Sequence, residues 1–147
     1  MSKANVEIVR RALGITMDAV RQNDPGAAFD QCVRKGLIDP DLAWRTGLRG
    51  GVGVAGISDF VGREGFVEFI RTWTEDFEDF TIEVEEIRGL RGKRVLAITR
   101  QHGIGKGSRA TVEMEISVIY TLRKRRIVQV EVFLEPADAL KAAGLKA

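Results

Sequence analysis

The sequence is poor in several residue types that would narrow its function at once. Of its 147 residues, one is cysteine, one is histidine, one is tyrosine and three are proline. A single cysteine, Cys32, cannot form an internal disulfide, which favours a reducing compartment. One histidine and one cysteine far apart in the chain cannot build the usual nitrogen and sulfur metal sites. We therefore predict no metal, and we also predict no cofactor.

Long apolar runs and a strong net charge are lacking as well. No stretch approaches the roughly 18 consecutive apolar residues of a membrane-spanning helix, and residues 1–11 mix charged and apolar side chains, unlike a signal peptide. The net charge of +2 is too small to produce a field that recruits polyanions. The sequence thus predicts a cytoplasmic protein that binds neither nucleic acid nor membranes.

The first half of the chain is rich in helical patterns. The length and the 44% of hydrophobic residues suit one globular domain, residues 1–147. Asn5 can cap a first helix, and Asp24-Pro25 can start a second one from Gly26 to about Arg34. Residues 42–45 can form a short strand. A third helix beginning near Gly62 is predicted from five apolar residues at helical spacing: Phe66, Phe69, Ile70, Trp73 and Phe77.

The second half alternates with a period of two, as half-buried strands do. The alternation starts at Phe80 and continues through residues 94–102, 110–122 and 127–134, with short turns between them, which predicts an antiparallel sheet. The faces of the last strand are assigned so that four apolar residues lie beside the apolar row of the long strand at 110–122, which requires a turn of odd length. These residues are Val128, Val130, Val132 and Leu134. Pro136 then opens a short final helix that ends at Gly144.

Several local motifs, in their order, resemble those of one superfamily. They are residues 5–11, residues 39–44, residues 62–65, residues 127–134 and residues 139–145. Together they resemble nuclear transport factor 2-like proteins, and most closely the SnoaL-like group, which includes polyketide cyclases and is related to ketosteroid isomerases. The resemblance implies an α+β fold in which the N-terminal helices pack in the concave face of a curved antiparallel or mixed sheet, a cystatin-like cone. It also implies a deep apolar pocket.

Aromatic and apolar residues in the helical and strand patterns are the candidates for the lining of that pocket. Trp and Tyr combine apolar area with one polar group, which suits a flat hydrophobic ligand. An alternative is that the same residues only fill the core. The predicted ligand-binding residues are Trp44, Phe66, Trp73, Phe77, Arg100, Met114, Val118 and Tyr120.

The catalytic chemistry is much less defined than the pocket. His102, the one histidine, is the candidate catalytic residue because imidazole can act as an acid or base near neutral pH, but both faces of its strand are partly apolar and do not decide its orientation. The resemblance places Val118 where isomerases and cyclases carry a functional aspartate. The G-x-G-x-x-G pattern at residues 51–56 predicts a loop rather than a dinucleotide site, since no parallel βαβ unit follows.

Two functions from different classes remain open at this point. The first is a protein with an apolar pocket for a small hydrophobic ligand, including a cyclase, isomerase or hydrolase type of enzyme. The second is a non-catalytic dimerisation or interaction module. Proteins with this resemblance often dimerise through the outer sheet face, and the residues predicted to form such a homodimer interface here are Glu113, Glu115, Ile119, Ile127 and Phe133.

Overall fold

A six-stranded mixed sheet, bent around three helices, forms the frame of the protein. The computed structural model describes residues 3–46 and 59–145. The helices are α1 (Lys3–Gln22), α2 (Pro25–Arg34), α3 (Gly62–Thr74) and α4 (Pro136–Ala142). The strands are β1 (Ile38–Thr46), β2 (Asp59–Val61), β3 (Phe77–Leu90), β4 (Arg94–Gly105), β5 (Thr111–Arg123) and β6 (Arg126–Phe133). The glycine-rich segment 47–56 lies outside the described residues.

The strand order explains why the sheet is mixed. The strands lie in the order β2-β1-β6-β5-β4-β3. Strands joined by tight turns pair antiparallel, whereas β1 pairs parallel with β6, its neighbour from the far end of the chain. This arrangement confirms the predicted α+β class and its antiparallel or mixed sheet.

Several predicted boundaries were wrong by a few residues. Asn5 lies inside α1 rather than at its cap, and β1 begins at Ile38, four residues before the strand predicted at residues 42–45. Phe77 was assigned to the third helix, but it begins β3 because α3 ends at Thr74. Its spacing from Trp73 fits a helix, so periodicity alone could not separate the two assignments.

The main hydrophobic core lies between the concave face of the sheet and helices α1, α2 and α3. Its buried members come from every one of these helices and from five strands, among them Val9, Cys32, Leu42 and Val95. Because a β-strand alternates its side chains between faces, the inner row of β5 and β6 holds Val118, Tyr120, Val130 and Val132. The register confirms the predicted parity at Val132 and Val130, which lie opposite Val118 and Tyr120. At the start of β6 the prediction was wrong: the turn has two residues, and a register shift after Thr121 puts Ile127 rather than Val128 on the core row.

A second, smaller core lies on the outer face of the sheet under α4. Its buried residues are Leu90, Leu96, Ile119, Phe133, Ala139 and Ala143. The end of α4 has the predicted geometry: Leu145 N donates to Leu140 O at 2.8 Å, and Gly144 adopts a φ of +77°, as in a Schellman motif. No helix among the described residues is long and apolar enough to cross a membrane.

Candidate ligand-binding cavity

An apolar cavity of about 80 Å³ lies inside the main core. Helices α1, α2 and α3 form one side of it, and strands β1 and β3 to β6 form the other. The lining residues are mostly aliphatic and aromatic: Ala12, Leu13, Thr16, Cys32, Ile38, Leu42, Trp44, Phe66, Phe69, Ile70, Trp73, Ile82, Thr99, Gln101, Ile116, Val118, Tyr120, Ile127, Val130 and Val132. The α1 and α3 helices contribute residues from their apolar faces, as amphipathic packing requires, whereas α2 contributes Cys32.

One wall of the cavity is a row of aromatic rings. Phe69 stacks on Trp73 with ring centroids 5.6 Å apart, and it lies 4.4 Å from the ring of Trp44. Phe66 meets Trp44 edge-on at 5.5 Å. The helical spacing of Phe66, Phe69 and Trp73 on α3 puts all three on the face that Trp44 of β1 approaches. Rings that hold one another at these separations form a preorganised wall.

A buried hydrogen-bond network satisfies most of the polar atoms near the cavity. The indole Nε1 of Trp73 donates to Gln101 Oε1 at 2.7 Å, and Gln101 Nε2 donates to Thr99 Oγ1 at 3.1 Å. Thr99 Oγ1 in turn donates to the backbone O of Ile116 at 2.9 Å. Because each of these groups has a partner, the network fixes side-chain orientations without a requirement for a ligand.

Trp44 is different, because its indole N–H is buried and has no hydrogen-bond partner within the described residues. Trp44 is 8% exposed and belongs to the cavity lining. Buried polar atoms are nearly always paired in folded proteins, and an unpaired one calls for a specific explanation such as a bound water, ion or ligand. Trp44 Nε1 is thus the one completely buried side-chain nitrogen or oxygen without a hydrogen-bond partner in the described part of the chain.

The two titratable groups of the lining are both held in their neutral forms. Burial raises the pKa of the Cys32 thiol to about 11. Burial, with a smaller contribution from Cys32, also raises the pKa of the Tyr120 phenol far above its ordinary value. No Asp, Glu, His, Lys or Arg is among the described lining residues. The cavity wall therefore carries no ionised side chain at neutral pH.

Five of the predicted ligand-binding residues meet in this cavity: Trp44, Phe66, Trp73, Val118 and Tyr120. Two others do not reach it. Phe77 contacts Phe80 with ring centroids 5.6 Å apart and lies in a surface groove beyond the end of α3. Met114 is half-buried and packs against the edge of the main core.

Arg100 and His102 lie on the opposite face of the sheet from the cavity. Arg100 forms ion pairs with Glu113 at 2.6 Å and Glu85 at 3.3 Å, and Glu113 raises the pKa of its guanidinium. His102 hydrogen-bonds Thr81 Oγ1, and its Nε2 is 3.9 Å from Glu83. Both side chains have the parity of the outer row of β4, whereas Thr99 and Gln101 have that of the inner row. The structure therefore separates the candidate catalytic histidine and the candidate arginine from the cavity.

Sequence reasoning missed Thr99 and Gln101 as lining residues. Thr99 and Gln101 lie on one face of β4 and His102 lies on the other. The sequence could not tell which face is buried, because Leu96 and Ile98 make the face of His102 partly apolar as well. The structure gives the reason: Leu96 and Ile98 belong to the outer core under α4. The signal that could have identified the buried face is the charge of the polar residues. Thr99 and Gln101 are uncharged, whereas Arg100 and His102 on the other face are ionisable.

The predicted homodimer surface needs correction at its apolar residues. Ile119 and Phe133 do point to the outer face, but α4 covers them and leaves them 0% and 5% exposed. Ile127, at 1% exposed, faces the main core, because a register shift after Thr121 places it opposite Leu122. Glu113 and Glu115 remain exposed. What is left of this surface is charged rather than apolar.

Three helices against a bent six-stranded sheet, with a cavity between the two layers, define the cone-shaped fold of nuclear transport factor 2-like proteins, and the chain has this fold. Solved structures that match it include a nuclear transport factor 2-like protein from Anabaena variabilis ATCC 29413. The two chains share 13% identity with a TM-score of 0.69, and the match covers 92% of each chain.

Two further matches illustrate the range of proteins that share this fold. One is assigned as a SnoaL-like polyketide cyclase from Jannaschia sp. CCS1, with 18% identity, a TM-score of 0.66, and 100% of this chain and 98% of that chain covered. The other is a hypothetical protein with a ketosteroid isomerase-like fold from Catenulispora acidiphila DSM 44928, in complex with trimethylamine. It shares 15% identity at a TM-score of 0.64, over 91% of this chain and 92% of that chain. No protein-family model and no curated protein matches the sequence.

Proposed function

We propose that this protein binds a compact, uncharged and largely apolar molecule in the cavity between its helices and its sheet. The observation that carries the proposal is the unpaired indole N–H of Trp44 in the cavity lining. A ligand with one hydrogen-bond acceptor, such as a ketone or ether oxygen, would accept from this donor. The surrounding aromatic wall would contact the apolar remainder of the ligand.

The size and the charge of the cavity narrow the ligand class. Pockets for drug-sized ligands enclose about 300–1,000 Å³, whereas this cavity has about 80 Å³, which favours a ligand of only a few heavy atoms. The matched Catenulispora protein holds a molecule of that size, trimethylamine. A charged ligand would lose its hydration without gaining an ionic partner, because the described lining has no ionised side chain. A neutral ligand avoids this cost.

The proposal is one of binding rather than of cyclase or isomerase chemistry. Proton abstraction next to a carbonyl needs a base and a donor that stabilises the enolate oxygen. Trp44 could be such a donor, but Val118, at the position where the resemblance places an aspartate, contributes only an aliphatic side chain to the lining. The neutral thiol of Cys32 and the neutral phenol of Tyr120 are not bases at physiological pH.

Thermal shift and tryptophan fluorescence with matched compact ligands would test this proposal. Cyclopentanone, tetrahydrofuran and cyclopentane have similar shapes, but only the first two have an acceptor oxygen. We expect the two oxygen-bearing ligands to bind and to raise the melting temperature. In Trp44→Phe, their affinity should fall about tenfold, the value of one lost hydrogen bond, to the level of cyclopentane.

Trp73→Phe is the matched control, because it removes an indole whose N–H is already bonded to Gln101. It should not change the ratio between the affinities for the ketone and the hydrocarbon. If Trp44→Phe leaves that ratio unchanged, or if no compact ligand shifts the wild-type melting temperature, the cavity is only a packing defect of the core.

A further inference from the structure

Three turns that are distant in sequence lie side by side at one end of the sheet. Leu122 N, just before the β5–β6 turn, donates to Lys93 O in the β3–β4 turn at 2.9 Å. Ile127 N, just after the β5–β6 turn, donates to Leu37 O in the α2–β1 turn, also at 2.9 Å. The three turns therefore form one continuous surface across strands β1, β6, β5, β4 and β3.

This surface, which we call the basic end, is covered with cations. It carries eight exposed basic residues: Arg34, Lys35, Arg91, Lys93, Arg123, Lys124, Arg125 and Arg126. None of them takes part in an ion pair among the residues that the structure describes. Five strands at a spacing of about 4.8 Å make the surface roughly 19 Å wide.

Several cations outside the basic end are paired with carboxylates, in contrast to its eight basic residues. On the outer face at the opposite end of the sheet, Arg100 pairs with Glu85 and Glu113, and Arg109 pairs with Glu78. The charges are thus segregated along the strands, although the whole chain has a net charge of only +2. A field that is weak on average can still be strong where like charges cluster.

The two central residues of the β5–β6 turn are cations in a left-handed backbone conformation that other residue types adopt at lower cost. Lys124 and Arg125 have φ angles of +53° and +63°, the left-handed pair that a two-residue type I′ turn requires and that Asn-Gly occupies most easily. The turn also places Arg123 directly opposite Arg126, and like charges in such a pair repel. The basic residues of this turn are therefore unfavourable for stability in two ways: through the backbone conformation and through charge repulsion.

We propose that the basic end binds the phosphate backbone of double-stranded nucleic acid without sequence preference, in contrast to the expectation of no nucleic-acid binding that the net charge of +2 suggested. A row of cations about as wide as a duplex can contact several phosphates at once. Five of the eight side chains are arginines, whose planar guanidinium groups match phosphate oxygens bidentately. The described residues of these turns include no aromatic side chain that could stack on bases, so the backbone, not the bases, is what the surface recognises.

An anionic membrane fits this surface less well than a duplex does. Peripheral membrane binding combines basic residues with apolar side chains that enter the interface. The exposed large hydrophobic residues of the described chain are Val61 and Val84, and neither belongs to the three turns. The basic end has charge without an apolar component.

The test compares two variants that lose the same charge at opposite ends of the molecule. The first carries Arg123→Gln, Lys124→Asn, Arg125→Gly and Arg126→Gln. The control carries Arg21→Gln, Arg71→Gln, Lys106→Gln and Arg109→Gln, which lie at the other end of the sheet and helices. Binding of a random-sequence duplex of about 20 base pairs is measured by fluorescence anisotropy over a range of salt concentrations, with circular dichroism to verify folding.

The wild-type protein should bind the duplex at low salt, and contact with about four phosphates should lower its affinity by at least a hundredfold between about 50 and 200 mM salt. The variant with the four substitutions at residues 123–126 should lose more than tenfold in affinity for the duplex at low salt and show a shallower salt dependence. The affinity of the control variant should change by less than about threefold. Equal losses in both variants would show that only net charge matters and would overturn the proposal. So would absence of wild-type binding, or equal or tighter binding to phosphatidylserine vesicles than to the duplex.

Discussion

Gln101 and Trp73 satisfy each other's polar atoms in the core, and this makes them a sensitive pair. In Gln101→Leu, the Trp73 N–H loses its acceptor at 2.7 Å and stays buried without a partner. The free energy of unfolding should fall by about 1–3 kcal/mol, measured by denaturant unfolding. The double variant Gln101→Leu/Trp73→Phe removes both partners and should lose less than the sum of the single losses. If the two single losses simply add in the double variant, the hydrogen bond between Trp73 and Gln101 does not couple the two residues.

Cys32 should make the stability of the protein depend on pH in the alkaline range. Its thiol holds its proton more tightly in the folded state, where burial raises the pKa to about 11, than in the unfolded chain, where the pKa is about 9. The unfolded state therefore binds fewer protons between these values, so stability is complete below about pH 9 and decreases as the pH rises to about 11.

The loss over this window should be about 2–3 kcal/mol. Cys32→Ala removes the titrating group, so the difference between the wild-type and variant curves isolates the thiol from Tyr120, whose raised pKa acts with the same sign at higher pH. Denaturant unfolding at several pH values gives both curves. Parallel curves would show that Cys32 is not the responsible group.

The β5–β6 hairpin has a turn whose backbone conformation is unfavourable for the residues that occupy it. Because Lys124 and Arg125 adopt left-handed φ angles, Lys124→Asn/Arg125→Gly should raise the free energy of unfolding by about 1 kcal/mol. Lys124→Gln/Arg125→Gln is the matched control, since it removes the same charges but keeps the backbone penalty. If both variants stabilise the protein equally, charge repulsion rather than turn geometry is the cause.

The α4 helix turns a part of the outer sheet face into a second core. Phe133 is 5% exposed beneath it, so Phe133→Ala should lower the free energy of unfolding by about 3 kcal/mol or more. Val84→Ala, at an exposed position of the same sheet, should change it by less than about 0.5 kcal/mol. A small effect of Phe133→Ala would mean that α4 does not pack on the sheet in solution.

At the scale of the whole molecule, the two cores share one sheet and should unfold together. Trp44 and Trp73 report on the inner core, whereas Phe133 belongs to the outer one. Phe133→Ala should therefore shift the transition seen by tryptophan fluorescence and the transition seen by far-ultraviolet circular dichroism to the same midpoint. A fluorescence transition that keeps its wild-type midpoint would show that the inner core unfolds independently.

Much of the fold was predictable because amphipathic periodicity reports burial directly. The stripe of Phe66, Phe69 and Trp73 and the inner row of Val118 and Tyr120 each occupy one face of their element, so pattern alone places them in the core and five predicted residues meet in the cavity. Periodicity cannot report what covers the other face of a strand. For that reason Ile119 and Phe133 looked like a partner surface, and the face of His102 stayed undecided.

The sequence by itself determined the α+β class, the strand parity of β5 and of the second half of β6, and an apolar interior around two tryptophans, because these follow from local spacing and side-chain chemistry. Tertiary structure alone decided three other things: that α4 covers the outer face, that Gln101 rather than His102 faces the cavity, and that three basic turns meet at one end. Each depends on contacts between segments far apart in the chain, which no local pattern records. The sequence already shows that few ionisable groups could act in a pocket. The structure places the one histidine, His102, outside the cavity.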